Sequence, residues 1–98
     1  MKTLVIRFSS LGDIVLAGAV TAALQDVEFL TLDRYAELAE RLPGVRKVHT
    51  WEAKGREATL GFDRIIDLHA SPRSRWATAF RHAEVRRVER FDLRRRAR

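Results

Sequence analysis

Apolar and polar residues alternate along the chain in blocks whose lengths suit strands and helices. Residues 2–8 (KTLVIRF) form a continuous β-branched and aromatic run, short enough for a buried strand. Comparable runs follow each polar segment, and the last of them is more polar, as is typical of an edge strand. The pattern predicts strands at residues 2–8, 27–32, 45–51, 62–69 and 85–91.

The segments between these strands favour helices. Residues 14–25 are rich in Ala and Leu and apolar on nearly every face, so we expect this helix to be buried. Asp33 is placed to cap the next helix, which stops at Pro43-Gly44, and Ser71 followed by Pro72 is typical of a helix start. Further helices are predicted at residues 33–42 and 71–83, and a loop or weak helix at 52–61.

Strands that alternate with helices imply right-handed crossovers and a parallel sheet covered on both faces. We therefore predict one α/β domain over residues 1–98, with a Rossmann-like parallel sheet in the order 3-2-1-4-5. Ligands on such sheets bind at the carboxyl ends of the strands, where the strand order reverses. The reversal falls between the first and fourth strands, so loops 9–13 and 69–75 should be neighbours in space.

Composition excludes several kinds of site. The chain has 98 residues and no cysteine, which excludes a disulfide framework, a thiolate zinc site and a cysteine nucleophile. His49, His69 and His82 lack the spacing of metal ligands, and we expect neither a metal nor a cofactor. No apolar run reaches the length of a membrane-spanning helix, and the first residues do not form a signal peptide. The expected compartment is the cytoplasm.

The formal net charge of +6 comes from the end of the chain. Residues 1–72 carry nine basic and ten acidic side chains, whereas residues 73–98 carry ten arginines and three acidic side chains. Such a block attracts phosphates, nucleic acid or an anionic membrane surface. Arginine supplies 16 of the 19 basic residues overall, so a general preference for arginine explains the block equally well. Residues 92–98 form a basic tail.

The first loop carries the strongest chemical signal. Ser9, Ser10 and Gly12 combine hydroxyl donors, a residue that permits a tight turn, and the free N–H groups of a helix start, all of which suit an anion. The loop has neither the three glycines of a dinucleotide fingerprint nor the Gly-Lys-Ser/Thr of a P-loop. Asp13 has two interpretations: a first-turn carboxylate favoured by the helix dipole, or a general base at the mouth of the crevice.

The second loop places cations at the positive end of a helix. Arg73 and Arg75 lie in the first turn of the predicted helix, where the helix dipole disfavours them by a few tenths of a kcal/mol each. An anionic ligand would offset that cost, but two solvated arginines fit the pattern equally well. Asp67 is expected to satisfy neighbouring backbone groups, and His69 either touches a ligand or caps the strand. The two tryptophans, Trp51 and Trp76, are expected to pack.

The runs VIRFSSLGDIVLAGAV and FDRIIDLHASPRSR resemble the beginning of glycosyltransferase family 9, which contains the ADP-heptose:lipopolysaccharide heptosyltransferases. In that family the first strand ends in a Ser-Leu-Gly-Asp turn, and a later strand leads into an Arg-Ser helix. The resemblance implies the N-terminal, acceptor-binding half of a GT-B fold and an inverting, metal-independent transfer of heptose. It implies that Asp13 is the catalytic base, that Ser9, Ser10 and Gly12 line the cleft, and that Arg73 and Ser74 face the acceptor.

The resemblance also implies what this chain lacks. Family members bind ADP-heptose mainly in a C-terminal domain, so we expect a truncated N-terminal domain that transfers no sugar alone. The implied partners are the ADP-heptose donor, a lipid-linked acidic sugar acceptor and, through the arginine block, the anionic inner membrane. The alternative is a non-enzymatic anion- or nucleic-acid-binding Rossmann half. Against nucleic acid, the sequence shows no interleaving of aromatic and basic residues of the RNA-binding kind.

Overall fold

A computed structural model of the protein describes residues 1–79 and 83–87. These residues form an α/β domain around a five-stranded parallel sheet in the order 3-2-1-4-5, so the predicted fold class and strand order are confirmed. The strands are β1 (Thr3–Ile6), β2 (Val27–Thr31), β3 (Val45–Thr50), β4 (Arg64–Asp67) and β5 (Glu84–Arg87).

The helices lie between consecutive strands in the chain, as a parallel sheet requires. They are α1 (Leu11–Leu24), α2 (Ala36–Glu40), α3 (Trp51–Lys54) and α4 (Pro72–Thr78). Two 3₁₀ segments, Asp33–Tyr35 and Gly55–Thr59, precede α2 and follow α3. The described part of the chain contains no helix that is both long and apolar enough to cross a membrane.

The sheet has one hydrophobic core on each face because successive side chains of a strand point to opposite faces. Val5 of β1 packs with α1 and α2 on one face, whereas Leu4 and Ile6 pack with the Gly55–Thr59 segment on the other. Helix α4 joins that second layer, where the hydroxyl of Thr59 donates to the carbonyl of Ala77 over 2.7 Å. All four β1 residues are buried, as the continuous apolar run predicts.

Helix α1 differs from its prediction in its start and in its burial. It begins at Leu11 rather than at residue 14, so Ser10 holds the N-cap position and Asp13 lies inside the first turn. Only one side of α1 is buried; Leu11 is 59% and Val15 54% exposed. The prediction of a fully buried helix was therefore wrong, because α1 forms an outer layer with the sheet on one side only.

Two shorter helices also depart from the sequence pattern. Asp33 does not cap α2; it opens a 3₁₀ segment, and its backbone N–H donates to a Glu52 carboxylate oxygen over 3.0 Å. Trp51 begins α3 instead of ending β3, so the weak helix predicted at 52–61 is a short α-helix followed by a 3₁₀ segment. Propensity alone misses both changes because each depends on contacts between separate segments.

The last predicted elements are only partly described. The Ser71-Pro72 helix start is confirmed, and α4 ends at Thr78. Residues 80–82 of the predicted third helix, residues 88–91 of the predicted fifth strand and the basic tail 92–98 lie outside the described residues.

Gly44 and Gly61 offer a matched test of backbone packing. Both have positive φ, 83° and 82°, but a Cβ on Gly44 would lie 2.0 Å from the carbonyl oxygen of Thr21, whereas one on Gly61 meets open space. We expect Gly61→Ala to lower the free energy of unfolding by about 1–2 kcal/mol for the left-handed backbone. Gly44→Ala should cost about 1–3 kcal/mol more for the clash. Urea unfolding measures both; equal losses would contradict the packing of α1 against this turn.

Candidate active site

The candidate site lies at the carboxyl ends of β1 and β4, where the strand order reverses. The backbone N–H of Leu68 donates to the carbonyl of Ile6 over 3.0 Å, which holds the ends of the two strands side by side. Loops 9–13 and 69–75 therefore leave the sheet as neighbours. This is the position at which ligands bind in open parallel sheets.

A buried ion pair joins the two sides of this crevice. Arg7 Nη2 donates to Asp13 Oδ2 over 2.7 Å, and Arg7 Nη1 donates to the carbonyl of Leu68, also over 2.7 Å. Arg7 is 0% and Asp13 4% exposed. Burial of either charge alone would cost several kcal/mol, so each requires the other. The sequence contained the signal for this pair, since an arginine inside a buried strand needs a carboxylate partner.

Asp13 occupies the first turn of α1, where both earlier interpretations placed it. The hydroxyl of Ser10 donates to Asp13 Oδ2 over 3.0 Å, so Oδ2 receives two donors. The guanidinium and the positive end of the helix both favour the ionised form of the carboxyl group. Asp13 is thus a buried carboxyl group paired with a guanidinium at the edge of the crevice, and its ionised form can accept a hydrogen bond or a proton.

The remaining residues of the first loop form the mouth of the crevice. Ser9 is half-buried, whereas Ser10 and Gly12 are exposed. Gly12 lies in the helix without positive φ, and a Cβ there would meet no atom within 4 Å. The expected tight turn at Gly12 was therefore wrong. What Gly12 provides is open space over the first helical turn.

An aromatic cluster connects the first loop to the second. Phe8 packs edge-on against Trp51, with ring centroids 5.5 Å apart, and against His69 at 5.3 Å. The guanidinium carbon of Arg73 lies 5.5 Å from the Phe8 ring centroid and 5.7 Å from that of Trp51. Such contacts contribute about 0.5–1 kcal/mol each at exposed sites. Arg73 is therefore an exposed cation lying over a ring cluster, which orients it at the crevice.

Ser74 does not line the crevice as the resemblance implied. It is completely buried, and its hydroxyl accepts from the backbone N–H of Ser71 over 2.9 Å. Its own backbone N–H donates to the Ser71 hydroxyl over 3.2 Å. Because these reciprocal bonds form a capping box, the role of Ser74 is to start α4.

Asp67 has the structural role that its position in a buried strand predicted. Its Oδ1 accepts from the backbone N–H groups of His69 over 3.0 Å and Ala70 over 2.8 Å. Ala70 has a positive φ of 49°, and the two bonds hold this turn. Arg87 of β5 lies 3.5 Å from the other Asp67 oxygen. Asp67 thereby fixes the direction in which His69 leaves β4.

The two tryptophans differ from each other. Trp51 packs as expected, but Trp76 is 60% exposed, so the expectation of packing was wrong for it. The guanidinium carbon of Arg56 lies 5.0 Å from the Trp76 ring centroid. Arg56 also donates to the carbonyls of Trp76 and Ala79, which places it at the end of α4.

No protein family, curated protein or solved structure matches this sequence. Within residues 1–79 and 83–87, no group of three or more histidine, aspartate or glutamate side chains is arranged to hold a metal ion.

A second charged cluster, which the sequence did not reveal, lies on β2 and β3. Glu28 Oε1 and His49 Nε2 are 2.6 Å apart, and Arg46 donates to Glu28 Oε2 over 2.7 Å. Lys54 Nζ lies 3.1 Å from His49 Nδ1, so both ring nitrogens of His49 contact charged side chains of this cluster. Burial raises the pKa of Glu28, but the His49 hydrogen bond and the charges of Lys2, His49 and Arg46 outweigh burial and leave this pKa below 4.5.

This cluster predicts an acid-sensitive contribution to stability. Because the pKa of Glu28 is lowered in the folded state, its stabilisation is fully present above pH 4.5 and is lost as the pH falls through the folded value. We expect Glu28→Gln to be less stable than the natural chain at pH 7, with the difference shrinking below pH 4.5. Urea unfolding between pH 3 and 7 measures it, with exposed Glu40→Gln as control. A difference that stayed constant across this range would contradict the assignment.

Proposed function

We propose that this chain is the acceptor-binding half of an inverting, metal-independent glycosyltransferase that moves heptose from ADP-heptose to a lipopolysaccharide inner core. The observation that carries the proposal is Asp13, an ion-paired carboxylate at the switch point of the sheet. Exposed Arg73 on the neighbouring loop adds a cation to the same crevice. The resemblance of both loops to the heptosyltransferases supports the same assignment.

In the proposed reaction, Asp13 accepts a hydrogen bond from the acceptor hydroxyl. That oxygen attacks the anomeric carbon of the donor sugar, the bond from this carbon to the ADP oxygen breaks, and ADP leaves with the electron pair. The hydroxyl proton passes to the Asp13 carboxylate as the new bond forms. Attack from the face opposite to ADP inverts the anomeric centre.

Arg73 is the residue that we assign to the acceptor's anionic groups. Its guanidinium lies over the rings of Phe8 and Trp51. It presents N–H donors in a planar fork, which matches the geometry of a carboxylate or phosphate. His69 packs beside it on Phe8, at the end of β4. A lipid-linked acidic acceptor would also bring the protein to the cytoplasmic face of the inner membrane, where the arginine block favours anionic lipid.

ADP-heptose is expected to bind mainly outside this chain, in the second domain that the resemblance implies. Departure of a diphosphate requires positive charge or hydrogen-bond donors placed where its negative charge develops. We therefore expect no sugar transfer by the 98 residues alone.

An amide NMR titration tests the proposal directly. We expect an acidic inner-core oligosaccharide to shift the resonances of residues 9–13 and 69–75, with ADP-heptose shifting them little. Arg73→Ala should weaken binding about ten-fold or more, since a charged hydrogen bond contributes about 1.5–3 kcal/mol. Arg41→Ala, which removes an exposed arginine from the region after α2, is the matched control.

Two outcomes would contradict the proposal. One is a well-dispersed spectrum in which the oligosaccharide moves neither loop. The other is binding of an oligonucleotide that weakens steeply between about 50 and 200 mM salt and is unchanged in Asp13→Asn, which would favour the non-enzymatic alternative.

Gly12 provides a test that separates binding from folding. Because a Cβ there meets no atom within 4 Å, Gly12→Ala should leave stability unchanged or raise it by up to about 1 kcal/mol. If the acceptor approaches the first turn of α1, the added methyl group should weaken acceptor binding in the same titration. Ala19→Val adds bulk to the exposed side of the same helix and should not. Unchanged binding in Gly12→Ala would place the acceptor elsewhere.

A further inference from the structure

Arg7 is the residue on which the geometry of the candidate base depends. Its side chain is completely buried, although it follows directly after β1. One guanidinium nitrogen donates to Asp13 at the start of α1, and the other donates to the carbonyl of Leu68 at the end of β4. A single side chain thus ties together the three elements that form the crevice.

We propose that Arg7 is the positioning residue of Asp13, holding its carboxylate ionised and fixed in direction for the acceptor hydroxyl. The inference rests on the proposed function for the reaction, but its physical content concerns Asp13 alone. The Leu68 bond orients the guanidinium independently of Asp13, because Leu68 is itself held to β1 through its backbone. The carboxylate therefore meets a cation whose place is set by the sheet.

The hydroxyl of Ser10 completes this arrangement. It reaches the same oxygen, Oδ2, over 3.0 Å, so two donors from different directions converge on one atom. Two donors that approach from different directions fix the position of Oδ2 more narrowly than a single ion pair does. Ser10 is exposed and Arg7 is buried, so Oδ2 is held from the solvent side and from the core side.

A purely structural role for Arg7 predicts a different behaviour. If Arg7 served only to fasten β1 to Leu68, its replacement would lower stability without changing the ionisation of Asp13. If Arg7 positions and charges Asp13, loss of the cation must change that ionisation, and a lysine in its place must restore it. Lysine keeps the charge but lacks the planar fork that serves two acceptors.

The test follows the Asp13 side-chain carboxyl carbon by NMR as a function of pH in the full 98-residue chain. We expect Arg7→Met to move the titration of Asp13 to higher pH by about one to three pH units, the range over which a neighbouring arginine acts on an aspartate. Arg7→Lys should restore most of this change, although it also loses stability, since lysine keeps the charge but lacks the planar fork. Arg64→Met, which removes a half-buried arginine from β4, should leave Asp13 unchanged.

A wild-type measurement keeps the proposal testable if Arg7→Met does not fold. The Arg7 side-chain nitrogen resonances and the Asp13 carboxyl carbon should change in one shared transition during acidification. Independent transitions, or an Asp13 titration that is the same in Arg7→Met and Arg7→Lys, would overturn the proposal. Neither the variant titrations nor the wild-type titration needs an acceptor. Failure of the acceptor titration would therefore contradict the proposed function and leave this test unaffected.

Discussion

A buried guanidinium constrains the carboxyl ends of β1 and β4, where the candidate site lies. Arg7 has no exposed surface, and an unpaired cation in an apolar interior costs several kcal/mol. Asp13 supplies the opposite charge and the Leu68 carbonyl accepts a second bond, so the pairing requirement brings the start of α1 and the end of β4 to one place. This buried contact sets the distance between loops 9–13 and 69–75, which carry the exposed polar groups. The relative positions of the two loops therefore depend on the buried contacts of Arg7.

The next residue in the chain organises the opposite face of the sheet. Because strand side chains alternate, Phe8 points away from Arg7 and joins the core that contains the Gly55–Thr59 segment. Its ring carries contacts to Trp51, His69 and Arg73, which come from α3, the β4–α4 loop and α4. One side of the crevice is thus formed by the Arg7–Asp13 ion pair and the other by the aromatic cluster around Phe8. A cation held over rings keeps its N–H edges available while losing little rotamer freedom on binding an anion.

The sequence predicted the sheet and its order because strand length, alternation with helices and crossover handedness are local or general properties. It also placed the loops of Asp13 and Arg73 together. It failed where a contact depends on register: Glu28 meets His49 only because of how β2 and β3 pair, including an irregularity between Val27 and Glu28. It failed again at Ser74, where a residue assigned to the acceptor by resemblance closes a capping box instead. For Arg7 the sequence allowed half of the answer. Its place in an apolar strand made burial predictable, but nothing in the sequence identified Asp13 as its partner.

The Arg7 pairing also bears on how the proposed reaction is divided between two parts of a protein. A carboxylate beside a guanidinium is a weaker base than a free carboxylate. An alcohol is so weak an acid that neither carboxylate can deprotonate it before the reaction begins. Proton transfer becomes favourable only once the acceptor oxygen has begun to bond to the anomeric carbon and has become acidic. In the proposed reaction Asp13 therefore needs only to be ionised and correctly placed, the role that we propose for its bonds to Arg7 and Ser10. The proposed reaction also requires groups that stabilise the departing diphosphate, and these would face this crevice from the donor side. Under the proposed function, a half-site of this kind would bind and orient an acceptor, and transfer would require a second, nucleotide-binding surface that presents the sugar.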